Sequence, residues 1–193
     1  VKVDSKFYLE DVVHLDNHNG YELLHLCQSA ATGAGWNSYY GFYEVLREEA
    51  TDKLFLQQFI LTKKYGADSP DIQSNTKKEI KGLPGIPSVM AFPTYNPTEY
   101  AFFAIGKKLY MVDLVNMSDA ELYYEFDSDI TAMDYGSSSN IHLAVGLEDG
   151  SFFVLGANAA KNIKDEHKLV YKAPEKVGKI VDIKYKNNSM WNY

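Results

Sequence analysis

Short apolar runs separated by polar turns dominate the second half of the chain. They fall into two successive groups of four, and each run has the length of a β-strand. Such runs, bounded by Gly, Asp, Asn and Ser clusters, are typical of strands joined by tight turns. The runs lie at 88–92, 100–106, 108–114 and 121–126, and then at 130–135, 141–146, 151–156 and 168–172.

The two groups form an internal repeat. Gly106 ends one run in Ala-Ile-Gly, and Gly146 ends its counterpart in Ala-Val-Gly, 40 residues further along. A polar tight turn follows each glycine, as in a β-hairpin. A group of four antiparallel strands that repeats about every 40 to 45 residues matches a β-propeller blade. We therefore predict an all-β fold made of propeller-type blades.

A more divergent unit precedes the repeat. Apolar runs at 21–27, 39–47 and 54–61 predict three strands, while the polar, Gly- and Pro-containing stretch 63–85 predicts a long loop with a weak or missing outer strand. Residues 179–185 resemble 130–135 and predict the first strand of another unit. The predicted organisation is 1–85 for the divergent first blade with the N-terminal segment and long loop, 86–127 for the second blade, 128–173 for the third, and 174–193 for a first strand and tail.

These units number about three, whereas closed propellers usually have about four to eight blades. We expect a partial propeller that is the C-terminal part of a longer one; a homodimer that completes the ring and an open stack with capped edges are the alternatives. A β-sandwich would show alternating apolar and polar residues in most strands, and the runs 101–105 and 152–155 do not alternate.

Composition and charge narrow the possible functions. The 193 residues are 46% hydrophobic and 23% charged, as in globular proteins, and 14% aromatic, which favours strands. A net charge of −7, with Arg47 as the single Arg, argues against nucleic acid and anionic substrates. The single Cys27 excludes an intramolecular disulfide and a Cys-based zinc site. No apolar run is long enough to predict a transmembrane segment.

Three segments carry a resemblance to a known family. They are Ala-Ile-Gly-Lys-Lys-Leu-Tyr-Met-Val-Asp-Leu at 104–114, Glu-Phe-Asp-Ser-Asp-Ile-Thr-Ala-Met at 125–133 and Gly-Lys-Ile-Val-Asp-Ile-Lys-Tyr-Lys at 178–186. Residues 39–186 resemble the propeller part of the PKD-like family lipoproteins of Bacteroides and relatives. The resemblance implies an extracytoplasmic location, at the cell envelope or outer-membrane surface, and no catalytic activity. The lipidated Cys and immunoglobulin-like modules of that family are absent from this sequence.

The sequence gives only weak evidence for a catalytic or metal-binding site. His14, Asp16 and His18 could ligate zinc, but no further ligand follows at a recognisable spacing, so we predict a solvated turn and no metal or cofactor. Cys27 lies two residues from His25, on the same face of a strand, yet no acidic residue is identifiable to orient the imidazole. We predict that this thiol is a packing residue.

Carboxylate pairs occur in predicted turns. Paired acids can serve glycoside hydrolysis, but Asp and Glu are commonplace in turns. We predict no catalytic residue among them, and we interpret residues 137–139, three serines, as a plain turn. The pairs are Asp127 with Asp129, Glu148 with Asp149, and Asp165 with Glu166.

The best candidate ligand surface is a rim of aromatic and amide side chains. In a propeller, the connections between the first and second strands of successive blades emerge on one face. Flat rings beside amides suit sugar rings or an extended peptide. The predicted ligand-binding residues are Trp36, Asn37, Tyr39, Tyr95, Asn96 and Asn140.

The predicted function is a non-enzymatic binding module of the cell envelope that recognises a glycan or a protein through rim loops. The alternative is a hydrolase or lyase with a carboxylate site at the propeller axis, completed by residues outside this chain. An intracellular scaffold of the WD-repeat kind ranks last, since the Trp-Asp strand ending and the Gly-His pair are absent.

Overall fold

The computed structural model is an all-β protein over the residues that it describes. These are 18–34, 37–64, 71–93, 100–137, 140–158, 169–175 and 178–184. Across these ranges there is no helix, and hence none that could span a membrane. Within the described residues, twelve strands form three antiparallel sheets of four strands each. The all-β prediction and the repeat-like sheet architecture are confirmed.

Each sheet is a meander whose neighbouring strands follow chain order. Sheet I contains β1 (Tyr21–Ala34), β2 (Asn37–Glu48), β3 (Leu54–Lys64) and β4 (Asp71–Glu79). Sheet II contains β5 (Val89–Ala91), β6 (Tyr100–Ile105), β7 (Lys108–Asp113) and β8 (Glu121–Glu125). Sheet III contains β9 (Ile130–Ser137), β10 (Asn140–Leu147), β11 (Phe152–Asn158) and β12 (Leu169–Lys172).

Sheet II is packed between the other two sheets. Successive side chains of a strand point to opposite faces, so a single strand of sheet II contacts both neighbouring sheets. Ala101 and Phe103 of β6 join a buried apolar cluster with sheet I, while Phe102 and Ala104 join a second cluster with sheet III. All four residues are buried. The unbroken apolar run that argued against a sandwich therefore has a physical reason: both faces of this sheet are covered.

The predicted loop over 63–85 is wrong in part, because this segment contains β4. This strand pairs with β3 from Phe55↔Glu79 to Thr62↔Asp71. Its side chains at Thr76, Lys77 and Lys78 are exposed. Backbone hydrogen bonds hold an edge strand whatever its side chains are, and charged residues on an edge discourage pairing with other chains. Apolar periodicity does not detect such a strand.

The strand predicted over 179–185 is not formed in its described part, residues 179–184. A strand needs a paired neighbour, and no ladder joins these residues to another described strand. The segment nevertheless lies along sheet III. The Ile180 N–H donates to the Leu147 carbonyl at 3.3 Å, and the Thr131 hydroxyl donates to the Ile180 carbonyl at 2.5 Å.

The contact of this segment with sheet III repeats a contact between sheets II and III. The N–H of Ile130, the first residue of β9, donates at 2.9 Å to the carbonyl of Gly106, just after β6. Correspondingly, the N–H of Ile180 donates to the carbonyl of Leu147, the last residue of β10. Both acceptors therefore lie at the end of the second strand of a sheet. Residues 178–184 meet sheet III where β9 meets sheet II.

Candidate functional site

The predicted rim residues lie in or beside the connections between the first and second strands of the three sheets. Trp36, Tyr95 and Asn96 fall outside the described residues. The backbone of Asn37 and Tyr39 belongs to β2, and that of Asn140 begins β10, so these three residues lie in strands and not in loops. The side chains of these three are not described. The shared rim stays a prediction.

Strands β5 and β9 run toward the same end of sheets II and III. The Ser88 N–H, just before β5, donates to the Ala104 carbonyl at 2.9 Å, and the Ile130 N–H donates to the Gly106 carbonyl at 2.9 Å. Both β5 and β9 thus begin beside the C-terminal end of β6. They therefore finish, at Ala91 and Ser137, toward the opposite end of sheets II and III.

The first hairpin extends beyond that end. Phe92, directly after β5, stacks on His25 and on Tyr43, with ring centroids 5.1 Å and 6.0 Å away. Tyr39 lies four positions from Tyr43 along β2, which is about 13 Å further toward the hairpin tip at the rise of a strand. Asn37 lies two positions beyond Tyr39. The structure therefore does not bring these two residues level with Phe92.

A second group of polar side chains lies on the outer face of sheet I, which we define as the face turned away from sheet II. Tyr43 and Val45 of β2 pack toward sheet II, so the alternate residue Glu44 points outward. The strand register aligns four residues in one row across this face. They are Leu26, Glu44, Gln57 and Lys77.

A buried carboxylate pairs with an imidazole on this outer face. His18 Nε2 lies 3.3 Å from Glu44 Oε2, and the side chains are 25% and 4% exposed. Gln57, opposite Glu44 in the register, is also buried. The sequence signal that could have found Glu44 is that it is the single charged residue between positions 39 and 46.

The hypothesis of a zinc site named His14, Asp16 and His18, and the structure describes only the last of these residues. His14 and Asp16 fall outside the described residues, whereas His18 contacts Glu44. Within the described part of the chain, no three His, Cys, Asp or Glu residues cluster in a way that could hold a metal ion.

Tyr21 and Lys77 meet above the outer face of sheet I. Their strands, β1 and β4, are the two edges of the sheet, about 14 Å apart at ordinary strand spacing. Even so, Lys77 Nζ lies 3.3 Å from the centroid of the Tyr21 ring. The Tyr21 ring also stands at 87° to the Phe55 ring, with centroids 5.6 Å apart. Leu46, opposite Phe55 in the register, is fully buried.

His25 and Cys27 lie on the inner face of sheet I. Their register partners are Val45 and Tyr43, which face sheet II, as expected for residues two apart in a strand. Burial raises the pKa of Cys27 to about 12, against a smaller lowering by a backbone hydrogen bond at Tyr43. Burial also lowers the pKa of His25. Because the thiolate is the nucleophilic form, this environment keeps Cys27 unreactive.

Two described carboxylates of the predicted turns, Glu148 and Asp149, have structural partners. Glu148 Oε2 lies 2.7 Å from Lys179 Nζ, and both side chains are about half exposed. Asp149 Oδ1 accepts a hydrogen bond from the Ser151 N–H at 3.0 Å within the β10–β11 turn. Asp165 and Glu166 fall outside the described residues.

A cleft of about 570 Å³ lies between the β2–β3 turn and the segment that follows β4. Lys53 Nζ and Glu79 Oε2, 3.3 Å apart, belong to two residues of its wall. The remaining lining residues are Asp52, Leu54, Ile80, Lys81, Gly82, Leu83, Pro84, Gly85 and Ile86.

Comparison with known protein families and with curated proteins finds no match to this chain.

Proposed function

We propose that this chain is part of a β-propeller and serves as a non-enzymatic binding module of the cell envelope. It recognises a glycan or a protein partner through the connections at one end of its sheets. The observation that supports this best is the common origin of β5 and β9 beside the end of β6, from which both strands run toward the same end of their sheets. Aromatic rings and amides in such connections combine apolar faces with directional hydrogen bonds.

The propeller proposal is supported by the stacking of the sheets and by the repeated contact at Ile130 and Ile180. Under this proposal each sheet is a blade, and residues 178–184 supply the innermost segment of a further blade. The missing blades belong to a longer chain or to a second copy. The location at the cell envelope rests on the resemblance to the PKD-like lipoproteins.

Ligand recognition is tested on an array of envelope glycans and on immobilised envelope proteins. We expect the wild-type chain to bind a member of one set and Trp36→Ala/Tyr95→Ala to lose that binding. Leu122→Ala, at an exposed apolar residue of β8, is a control for a change outside the rim. Equal binding by wild type and the double variant contradicts the rim as the site. Turnover of a bound glycan would favour the hydrolase or lyase alternative.

The assembly is tested by the mass of the chain in solution, measured by light scattering. A species near twice 21.8 kDa would support a ring completed by two copies. A monomer would place the missing blades in a longer chain. Small-angle scattering measures the shape of the chain in solution. A monomer with the compact shape of a closed ring would contradict the partial propeller.

A further inference from the structure

We propose that the corner between the rings of Tyr21 and Phe55 is a binding site for a small quaternary ammonium compound, and that Lys77 of the same chain occupies this site in competition with the ligand. We call these two rings, with the carboxylate of Glu48, the ammonium corner. It lies on the outer face of sheet I, and it does not depend on the rim proposed above.

The ring geometry provides two aromatic walls. The planes of Tyr21 and Phe55 meet at 87° with centroids 5.6 Å apart. Lys77 Nζ lies 3.3 Å from the Tyr21 centroid and 5.5 Å from the Phe55 centroid. Both distances are within the range of about 6 Å in which the negative face of a ring attracts a cation. The corner therefore already holds an ammonium group.

A carboxylate adds negative charge beside the corner. The Tyr21 hydroxyl donates to Glu48 Oε1 at 3.3 Å, which orients the ring and increases its electron density. Glu79 lies opposite Phe55 in the β3–β4 register, but its carboxylate is paired with Lys53 Nζ at 3.3 Å. The Glu48 carboxylate and the two rings favour a cationic ligand over a neutral or anionic one.

Lys77 is suited to be a displaceable occupant. It is exposed, it sits on the edge strand β4, and its side chain must stay extended across the sheet to reach Tyr21. Holding a long lysine side chain in one conformation costs entropy, and its ammonium group is strongly hydrated. A quaternary ammonium group is less hydrated and presents methyl groups to the rings. It should therefore compete with Lys77 for the corner.

The test is a titration with tetramethylammonium chloride, followed by NMR of the aromatic ring protons, with sodium chloride as the ionic-strength control. We expect Lys77→Met to bind tetramethylammonium about three- to tenfold more tightly than wild type, because the internal competitor is removed. Lys78→Met is the matched control. This substitution removes the same charge one residue away, from a side chain on the other face of β4. The variant should bind tetramethylammonium as tightly as wild type does.

Ring variants in the Lys77→Met background locate the ligand. Tyr21→Leu and Phe55→Leu should each weaken binding at least about threefold, whereas Tyr21→Phe retains the ring and most of the affinity. Equal affinity of wild type, Lys77→Met and Lys78→Met would overturn the proposal. So would unchanged binding by both leucine variants, once circular dichroism shows that they are folded. Choline should bind like tetramethylammonium, and failure of choline to bind Lys77→Met would also count against the proposal.

Discussion

The imidazole of His25 lies nearly parallel to the ring of Phe92, with a centroid distance of 5.1 Å and an angle of 16° between the planes. His25 belongs to β1 of sheet I, and Phe92 directly follows β5 of sheet II, so this stack joins the two sheets. Phe92 also meets Phe103 of β6 edge to face at 5.7 Å. A protonated imidazole in this apolar setting would lose most of its hydration.

The first prediction concerns pH. Burial lowers the pKa of His25 below the ordinary value of 6.5, so the unfolded chain binds a proton more readily than the folded one. The contribution of His25 to stability is thus fully present above pH 6.5 and is lost as the pH falls through the lowered pKa. We expect urea unfolding to show this loss in wild type and a flatter profile in His25→Phe, which keeps a ring against Phe92. Parallel profiles of the two proteins would contradict it.

A second prediction concerns the thiol of Cys27. Because burial raises its pKa from 9.0 to about 12, the thiolate fraction at mildly alkaline pH falls about a thousandfold. Ellman's reagent should react very slowly with the native protein and rapidly after addition of urea. Since this is the single cysteine of the chain, its labelling rate reports the opening of the interface between sheets I and II. Rapid labelling without denaturant would show that this part of β1 is open in the native protein.

The strands that could be predicted from the sequence are those whose side chains are buried. The run around Phe102 and Phe103 was predictable because both faces of β6 are covered. By contrast, the sequence predicts only a weak or missing outer strand where β4 lies, because backbone pairing, and not apolar side chains, holds this edge strand. Residues 179–184 share the apolar pattern of β9, but pattern alone does not supply the neighbour that a strand needs.

The site residues were less predictable, for a physical reason. Tyr21 and Lys77 are 56 positions apart, and they can meet because the strand register places both side chains on the same face of sheet I. Neither the spacing of these two residues in the sequence nor their residue types predict the contact. The pairing of His18 with Glu44 likewise depends on which face of β2 is turned outward. Sequence reasoning placed His25 and Cys27 on one face correctly, because that relation lies within a single strand.

A third prediction concerns the pair of His18 and Glu44. Removing His18 takes one hydrogen-bonding partner from the buried Glu44 carboxylate, so His18→Ala should destabilise the fold by about 1 to 3 kcal/mol. Glu44→Gln removes the charge but keeps the size of the side chain. The double variant should cost less than the sum of the single variants, as for residues in direct contact. Urea unfolding of all four proteins provides the measurement, and strict additivity would show that the two side chains do not interact.

The last prediction tests the contact of residues 178–184 with sheet III. A methyl group added at Gly146 would lie 2.4 Å from Ile180 Cγ2 and 2.7 Å from Ile180 Cβ, so Ile180 would have to move as a whole residue. We expect Gly146→Ala to destabilise the protein by about 1 to 3 kcal/mol, the usual cost of overpacking, and to expose the tail to proteolysis. Gly85→Ala is the matched control, since nothing lies within 4 Å of its added methyl group. If both variants unfold at the wild-type urea concentration and resist protease equally, residues 178–184 do not pack on sheet III in solution.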